Sequence, residues 1–287
     1  MPALMDDHFD AYYDEYHDAL EPDEPERPRD RRIDEAKDVL LEGLFRAQPE
    51  RVFYERQIQV LSERRFFHWI TGRALGELAA EGRIGTALAP LIGPINVRFY
   101  WSTRLRYWRR SAEAVRQLVA RYSRPEFTRA VGQHGETMFD AALPTGGFMP
   151  RAKDVREYEG RKWEQTAHDL DRVFERDGVR YGVEIKNTLP YIDRRELQIK
   201  LAMCEALGLR PLFIMRSAPK SYIHQVNQAG GFVLRFDWQL YPFGYEAFAE
   251  EIHEKLGLPV DCPRAIETGT VQRFLNWHRR QQGAQKP

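Results

Sequence analysis

Residues 167–187 have the sequence AHDLDRVFERDGVRYGVEIKN, which carries the strongest structural pattern in the carboxy-terminal half of the chain. Apolar and polar residues alternate on both sides of Asp177 and Gly178. An Asp-Gly pair between two alternating segments is a strong signal for a β-hairpin. The pattern therefore predicts two antiparallel strands, at residues 169–175 and 179–187.

The predicted hairpin brings acidic and basic side chains together. Because side chains alternate between the two faces of a strand, Glu184 and Lys186 share one face of the second strand. Asp169 and Asp171 share a face of the first strand for the same reason. Burying acids and an amine on one face is unfavourable unless they pair or bind a metal, which favours a functional site. The alternative is simple pairing of the acids with Lys186 and Arg172 on an exposed face.

An acid-x-Lys tripeptide is a weak signal by itself, since about 1.2 of them are expected by chance in this chain. A second one, Glu35-Ala36-Lys37, lies in a predicted helix, where residues two apart point to nearly opposite sides. The tripeptide at Glu184 differs because the hairpin places Asp171 beside it.

Asp171, followed thirteen positions later by Glu184-Ile-Lys186, resembles the core motif of the PD-(D/E)xK nuclease superfamily. Leu170 stands where the superfamily often has Pro, a position that varies among its members. The resemblance covers about residues 127–237. It implies a restriction-endonuclease-like α/β (α+β) domain, in which helices flank a mixed sheet.

The resemblance extends to two helical residues. Glu136, on the helix predicted before the sheet, is similar to the helical acid of many members. Gln198, on the helix predicted after Lys186, is similar to a Gln found in several branches, including archaeal Holliday-junction resolvases. The expected catalytic residues are therefore Asp171, Glu184, Lys186, Glu136 and Gln198.

These residue types suit metal-dependent hydrolysis of a phosphodiester. Mg²⁺, for which Mn²⁺ can substitute, prefers oxygen ligands and usually takes one or two carboxylates together with water and substrate phosphate. The expected metal ligands are the carboxylates of Asp171, Glu184 and Glu136 and the backbone carbonyl of Ile185. Lys186 would stabilise the pentavalent transition state or orient the attacking water. Gln198 would hold the Lys186 amine, the water or a phosphate oxygen.

The amino-terminal half predicts a different order of elements. After a first helix, residues 52–61 form a strand or a short helix, and a strong amphipathic helix covers residues 66–81. Two β-rich runs, at residues 84–89 and 95–101, follow as a hairpin. This order resembles a winged helix-turn-helix domain, expected over residues 33–110, whose third helix enters the major groove of DNA.

The distribution of charge indicates DNA as a partner of this half. The chain is neutral overall, but residues 1–40 have a net charge of −9, and residues 46–110 carry 12 Arg, no Lys and 5 Glu. A basic segment interleaved with aromatic residues suits a polyanion. The expected DNA contacts, on the exposed face of the third helix and on the hairpin, are Arg64, Arg65, His68, Thr71, Arg73 and Arg98. The alternative is a winged helix that packs only against a protein.

The chain divides into four expected segments. These are a flexible acidic tail (residues 1–32), the winged helix (33–110), linking helices (111–143), and the nuclease domain with its carboxy-terminal helices (127–287). The tail is either a solvated, poorly ordered terminus or a segment that screens the basic surface until DNA displaces it. No run approaches the ~20 apolar residues that span a bilayer, and the acidic amino terminus does not resemble a secretory signal. We therefore expect a cytoplasmic protein without membrane partners.

The sequence as a whole predicts a Mg²⁺-dependent DNA endonuclease that a winged helix positions on DNA. Two alternatives stay open: a nuclease-like DNA-binding regulator that no longer cuts, and a structure-specific resolvase or RNA-processing nuclease. A homodimer is expected if one metal site per chain cuts a duplex.

Overall fold

The computed structural model of the chain describes residues 30–283. The fold is mixed α/β, as the sequence predicts. It divides into two compact units, the first ending at Arg121 and the second beginning at Tyr122. Apart from its last three positions, the expected acidic tail (residues 1–32) lies outside the described residues.

From residue 30 onward, the first unit combines four helices with one small sheet. Its elements are α1 (Arg32–Leu40), which continues as a π-helical turn (Leu41–Arg46), β1 (Val52–Tyr54), α2 (Glu55–Ser62), α3 (His68–Ala80), β2 (Ile84–Ile92) and β3 (Ile95–Ser102). Strand β3 lies between β1 and β2 and pairs antiparallel with both. Residues 52–61 therefore contain both a strand and a helix, and α4 (Trp108–Tyr122) follows the sheet.

The core of the first unit forms where α1, α2 and α3 bury their apolar stripes. Helix α3 contributes Ile70, Ala74, Leu75 and Leu78, which recur at the three- and four-residue spacing of a helix face. Gly85 of β2 lies against the ring of Trp101, so a larger side chain at this position would collide with the indole. The predicted hairpin is confirmed, and both of its strands are longer than expected.

The second unit is built on a five-stranded mixed sheet. Its elements are α5 (Pro125–Thr145), β4 (Met149–Val155), β5 (Glu157–Tyr158), β6 (Arg161–Lys162), β7 (Leu170–Arg176), β8 (Val179–Lys186), α6 (Arg194–Leu207), β9 (Arg210–Met215), α7 (Lys220–Gln228), β10 (Phe232–Arg235), β11 (Gln239–Leu240), α8 (Glu246–Leu256), β12 (Val260–Asp261) and α9 (Thr268–Gly283). The sheet has the strand order β10-β9-β8-β7-β4. Strands β4, β7 and β8 pair antiparallel, whereas β8, β9 and β10 pair parallel.

The hairpin predicted from residues 167–187 is confirmed in the middle of this sheet as β7 and β8. Its turn uses Asp177 and Gly178, which have φ angles of 49° and 75°. Left-handed backbone is most accessible to Gly and is tolerated by Asp, so the Asp-Gly pair fits this turn. The hairpin therefore forms for the local reason that the sequence indicates.

Helices cover both faces of the hairpin. On one face, α5 packs its Met138 and Phe139 in the same core as Phe174 and Tyr181. On the other face, α6 packs its buried side chains against the sheet. Gly182 of β8 lies so close to α6 that a Cβ there would be 2.8 Å from Sγ of Cys204. This close approach brings the side chains of α6 directly over β8.

Candidate functional site

Glu184 lies at the centre of the site. It projects from β8 toward α6, and only 1% of its surface is exposed. Its Oε1 is 3.0 Å from Nζ of Lys186, and its Oε2 is 2.7 Å from Nζ of Lys200. Burial raises the pKa of Glu184, but the two ammonium groups outweigh burial and hold the pKa below its ordinary value. Glu184 is therefore an ionised carboxylate between two cations.

Lys186 links the strand to the helix. Its Nζ lies 2.7 Å from Oε1 of Glu196, in addition to its contact with Glu184. Burial lowers the pKa of Lys186, but the nearby carboxylates, Glu184 first, raise it above its ordinary value. Lys186 therefore stays protonated, which suits it to stabilise negative charge and not to accept a proton.

Asp171 faces the same side of the sheet from β7. Its Oδ2 accepts a hydrogen bond of 2.6 Å from the backbone N–H of Ile185. Burial and then the charge of Glu184 raise the pKa of Asp171 to about 8. The structure thus brings together Asp171, Glu184 and Lys186, the three residues of the sequence motif, while Ile185 contributes its backbone N–H.

Lys200 belongs to this cluster although the sequence did not indicate it. It lies on α6, is 4% exposed, and donates a hydrogen bond to the backbone carbonyl of Asp169 while it pairs with Glu184. Glu196 and Lys200 are four residues apart and so share one face of the helix. An acid and a lysine four residues apart, on the first helix after the hairpin, were therefore the sequence signal that could have indicated Lys200.

Gln198 lies outside the site, so the prediction that it is a catalytic residue is wrong. It lies two residues from both Glu196 and Lys200, which places it on the opposite side of α6, where it is exposed. The helix face that contacts the sheet is instead fixed by its apolar residues, including Leu197 and Cys204.

Glu136 is also placed elsewhere. Its Oε2 lies 2.9 Å from Nη2 of Arg172, which also makes a bidentate contact with Asp140. Arg172 follows Asp171 in β7 and pairs across the hairpin with Val183, whose side chain packs in the core on the α5 face. The expected metal ligand Glu136 is therefore an ion-pair partner on the other face of the sheet. The expected pairing of the motif acids with Arg172 is wrong for the same reason.

The expected set of three carboxylate ligands is thus reduced to Asp171 and Glu184. Within residues 30–283, no three His, Cys, Asp or Glu side chains come together in an arrangement that could hold a metal ion. Glu184 pairs instead with the ammonium groups of Lys186 and Lys200.

The expected DNA contacts of the first unit are only partly exposed. Arg64 and Arg65 lie in the turn before α3, and Arg73 lies on the exposed face of α3, with 65% of its side chain accessible. Arg65 pairs with Glu35, and Nε of Arg73 lies 3.3 Å from Oε1 of Glu77.

His68 and Thr71 are buried, so the prediction that they are exposed is wrong. Thr71 falls within the buried stripe of α3, three and four residues before Ala74 and Leu75. His68 contacts Arg56, with 3.0 Å between Nδ1 and Nη1. The exposed face of the helix carries Trp69 instead, which is 52% accessible and one turn before Arg73.

Arg98 lies on β3, at a cavity of about 500 Å³ between α3 and the hairpin. Its Nε is 3.9 Å from Oε2 of Glu55. Small residues of α3, including Gly72 and Gly76, form the opposite wall of the cavity. Arg98 is thus beside an acid, with 41% of its side chain accessible.

No helix in the described part of the chain is both long and apolar enough to cross a membrane. Comparison of the chain with protein-family models, with curated proteins and with solved structures gave no match.

Proposed function

We propose that the second unit is a Mg²⁺-dependent DNA endonuclease of the PD-(D/E)xK type and that the first unit is a winged helix that positions it on DNA. The observation that carries this proposal is the convergence of Asp171, Glu184 and Lys186 on one sheet face. A chance acid-x-Lys tripeptide would not by itself bring Asp171 close to Glu184 or pair Lys186 with a second acid, Glu196.

The two acids fit a divalent ion by their chemistry. They supply oxygen donors, and two carboxylates is a usual protein contribution to a Mg²⁺ site. Their mutual repulsion contributes to the raised pKa of Asp171, and a cation between them would relieve it. When bound, such an ion would polarise the scissile phosphate and lower the pKa of an attacking water.

The remaining residues have roles that follow from their contacts. Lys186 is held as an ammonium by Glu184 and Glu196, so it can stabilise the negative charge that develops on the phosphate. The Ile185 N–H donates a hydrogen bond to the carboxylate of Asp171 and restrains it close to Glu184. These contacts preorganise the charges before a substrate arrives.

The first unit supports DNA binding by its order of elements and its exposed cations. Helix, strand, two helices and two strands, with β3 between β1 and β2, is the order expected of a winged helix. Trp69 and Arg73 on α3 and Arg98 on the hairpin are accessible at the surfaces that such a domain uses.

Cleavage of supercoiled plasmid in Mg²⁺ tests the proposed function. We expect the wild type to nick or linearise the plasmid, and Lys186→Met to lose about 10²–10³-fold in rate, because an electrostatic contact to the transition state is removed. Gln198→Ala is the matched control, since its exposed side chain lies away from the site, and it should cut like the wild type. Equal rates for Lys186→Met and the wild type would refute the assignment.

A second candidate function is a DNA-binding protein of the same fold that does not cut. The observation that favours it is that both oxygens of Glu184 pair with lysines. Fewer carboxylate oxygens are then open to a metal ion. This candidate predicts retarded DNA in a gel-shift assay, with no cleavage in Mg²⁺ or Mn²⁺.

A further inference from the structure

Lys200 has a position that the proposed catalytic set does not explain. It lies in the middle of α6 with 4% of its surface exposed, so burying it carries a desolvation cost. Its Nζ lies 2.7 Å from Oε2 of Glu184 and also donates to the carbonyl of Asp169. A lysine that served only to anchor α6 would not need to contact the central acid of the site.

The two oxygens of Glu184 have different cationic partners. Lys186 contacts Oε1 and is itself shared with Glu196, whereas Lys200 contacts Oε2. A carboxylate that is 1% exposed needs such compensation, because an unpaired buried charge is strongly destabilising. Lys200 therefore supplies the positive charge that Oε2 requires when no metal ion is present.

An ammonium and a divalent cation cannot both occupy the space beside Oε2 without strong repulsion. Like charges a few Å apart repel even in water, and they repel more strongly at a buried site. The ammonium of Lys200 has a second acceptor, the carbonyl of Asp169, and a flexible four-carbon stem. It can therefore leave Oε2 and keep a hydrogen bond.

We propose that Lys200 is a positioning residue that neutralises Glu184 in the metal-free chain and competes with a divalent cation for this carboxylate. The proposal rests on the proposed function, because it assumes that Glu184 takes part in binding an ion. In this proposal, a divalent ion binds Glu184 only if it displaces the ammonium group of Lys200. The affinity for the ion therefore depends on the strength of the Lys200–Glu184 pair.

Mn²⁺ binding measured by calorimetry on the full chain tests the competition. Lys200→Met removes the charge and keeps most of the side-chain volume, and we expect it to bind Mn²⁺ at least about tenfold more tightly than the wild type. Lys200→Arg keeps the charge and should bind like the wild type. Lys255→Met, which removes an exposed lysine paired with Glu251 on α8, is the control and should also bind like the wild type.

Thermal unfolding separates competition from a purely structural role. In EDTA we expect Lys200→Met to melt below the wild type, since Glu184 loses a partner, and in saturating Mn²⁺ we expect the gap to close. An anchoring lysine would leave the same gap in both conditions.

A measurement on the wild type keeps the test independent of the stability of the variant. Labelling the lysines with ¹⁵N gives resonances for the ammonium groups, and the Lys200 resonance can be assigned from Lys200→Arg. We expect this resonance to shift as Mg²⁺ is added, while that of Lys255 stays in place. A Lys200 signal that does not change at saturating Mg²⁺ would overturn the competition.

The outcomes distinguish this proposal from the proposed function. If the wild type cuts DNA in Mg²⁺ and Lys200→Met binds Mn²⁺ no more tightly than the wild type, only the competition fails. If neither chain binds Mn²⁺ and the wild type does not cut, both proposals fail.

Discussion

At the scale of single residues, the site depends on compensation between buried charges. Glu184 is ionised and almost inaccessible, and each of its oxygens contacts one ammonium group. The direct partner of Asp171 is instead the uncharged backbone N–H of Ile185, which donates a hydrogen bond to its Oδ2. The difference explains why the pKa of Glu184 is lowered and that of Asp171 is raised.

The raised pKa of Asp171 predicts a particular dependence of stability on pH. Its pKa is about 8 in the folded chain against an ordinary value of 3.8, so between these values the folded chain holds a proton that the unfolded chain has released. Stability from this group is therefore complete below about pH 4 and is lost as the pH rises toward 8. Asp171→Asn removes the titration and should melt higher than the wild type at pH 8.5.

Melting curves in EDTA from pH 5 to pH 8.5 check this prediction. We expect the melting temperature of Asp171→Asn, relative to the wild type, to rise by at least about 3 °C across this range. If the two chains lose stability in parallel, the carboxyl group of Asp171 does not have a raised pKa.

At the scale of secondary-structure elements, local signals were sufficient for the hairpin but not for the helices beside it. Asp177 and Gly178 and the alternation around them are contained in one short stretch, so the strands could be predicted. The phase of α6 relative to the sheet depends on which of its residues pack against distant strands. The sequence therefore suggested Gln198, whereas packing of the helix presents Lys200.

Glu136 shows the same limit for a contact between distant segments. Its partner Arg172 is 36 residues away in the sequence, and both lie among many other charged residues. Two acids of α5, Glu136 and Asp140, meet the guanidinium on the face opposite Asp171. Only the three-dimensional arrangement of α5 and β7 distinguishes this ion pair from a metal ligand.

The close packing of α6 on β8 predicts a specific sensitivity at Gly182. A methyl group there would lie 2.8 Å from Sγ of Cys204 and 2.9 Å from Cδ1 of Leu170, so Gly182→Ala must displace side chains that are packed between α6 and the sheet. We expect a loss of about 1–3 kcal/mol in the free energy of unfolding, measured by denaturant titration.

Gly132→Ala provides the matched control for Gly182→Ala. Gly132 lies within α5, and a Cβ there would meet no atom within 4 Å. Alanine is favoured over glycine in a helix interior, so this change should leave stability equal or slightly higher. Similar losses for both substitutions would contradict the close-packing argument.

At the scale of the whole molecule, charge is unevenly distributed although the chain is neutral. Residues 1–40 have a net charge of −9, and residues 41–287 have a net charge of +9. We propose that exposed arginines attract DNA regardless of its sequence and that the acidic residues of the second unit take part in cutting it. Binding and cleavage should then respond to different substitutions.

Arg73 tests the binding part of this division. Arg73→Ala should weaken binding to duplex DNA modestly and reduce the slope of log K against log salt by about 1, because one phosphate contact is lost. The proposed catalytic cluster is unchanged, so cleavage at saturating protein should persist. Arg46→Ala removes a comparably exposed arginine that pairs with Glu42, and it should leave the slope unchanged. An equal change in both variants, or a loss that does not depend on salt, would argue against a phosphate contact.

Binding of Mn²⁺ to the wild type and to Asp171→Asn shows whether Asp171 and Glu184 hold one metal ion together, and it requires no known DNA substrate. Titration calorimetry at pH 8.5, where the Asp171 carboxyl is mainly ionised, should give saturable binding to the wild type and at least about tenfold weaker binding to Asp171→Asn. Equal affinity in the two chains, or no binding to the wild type, would contradict a shared metal site at Asp171 and Glu184.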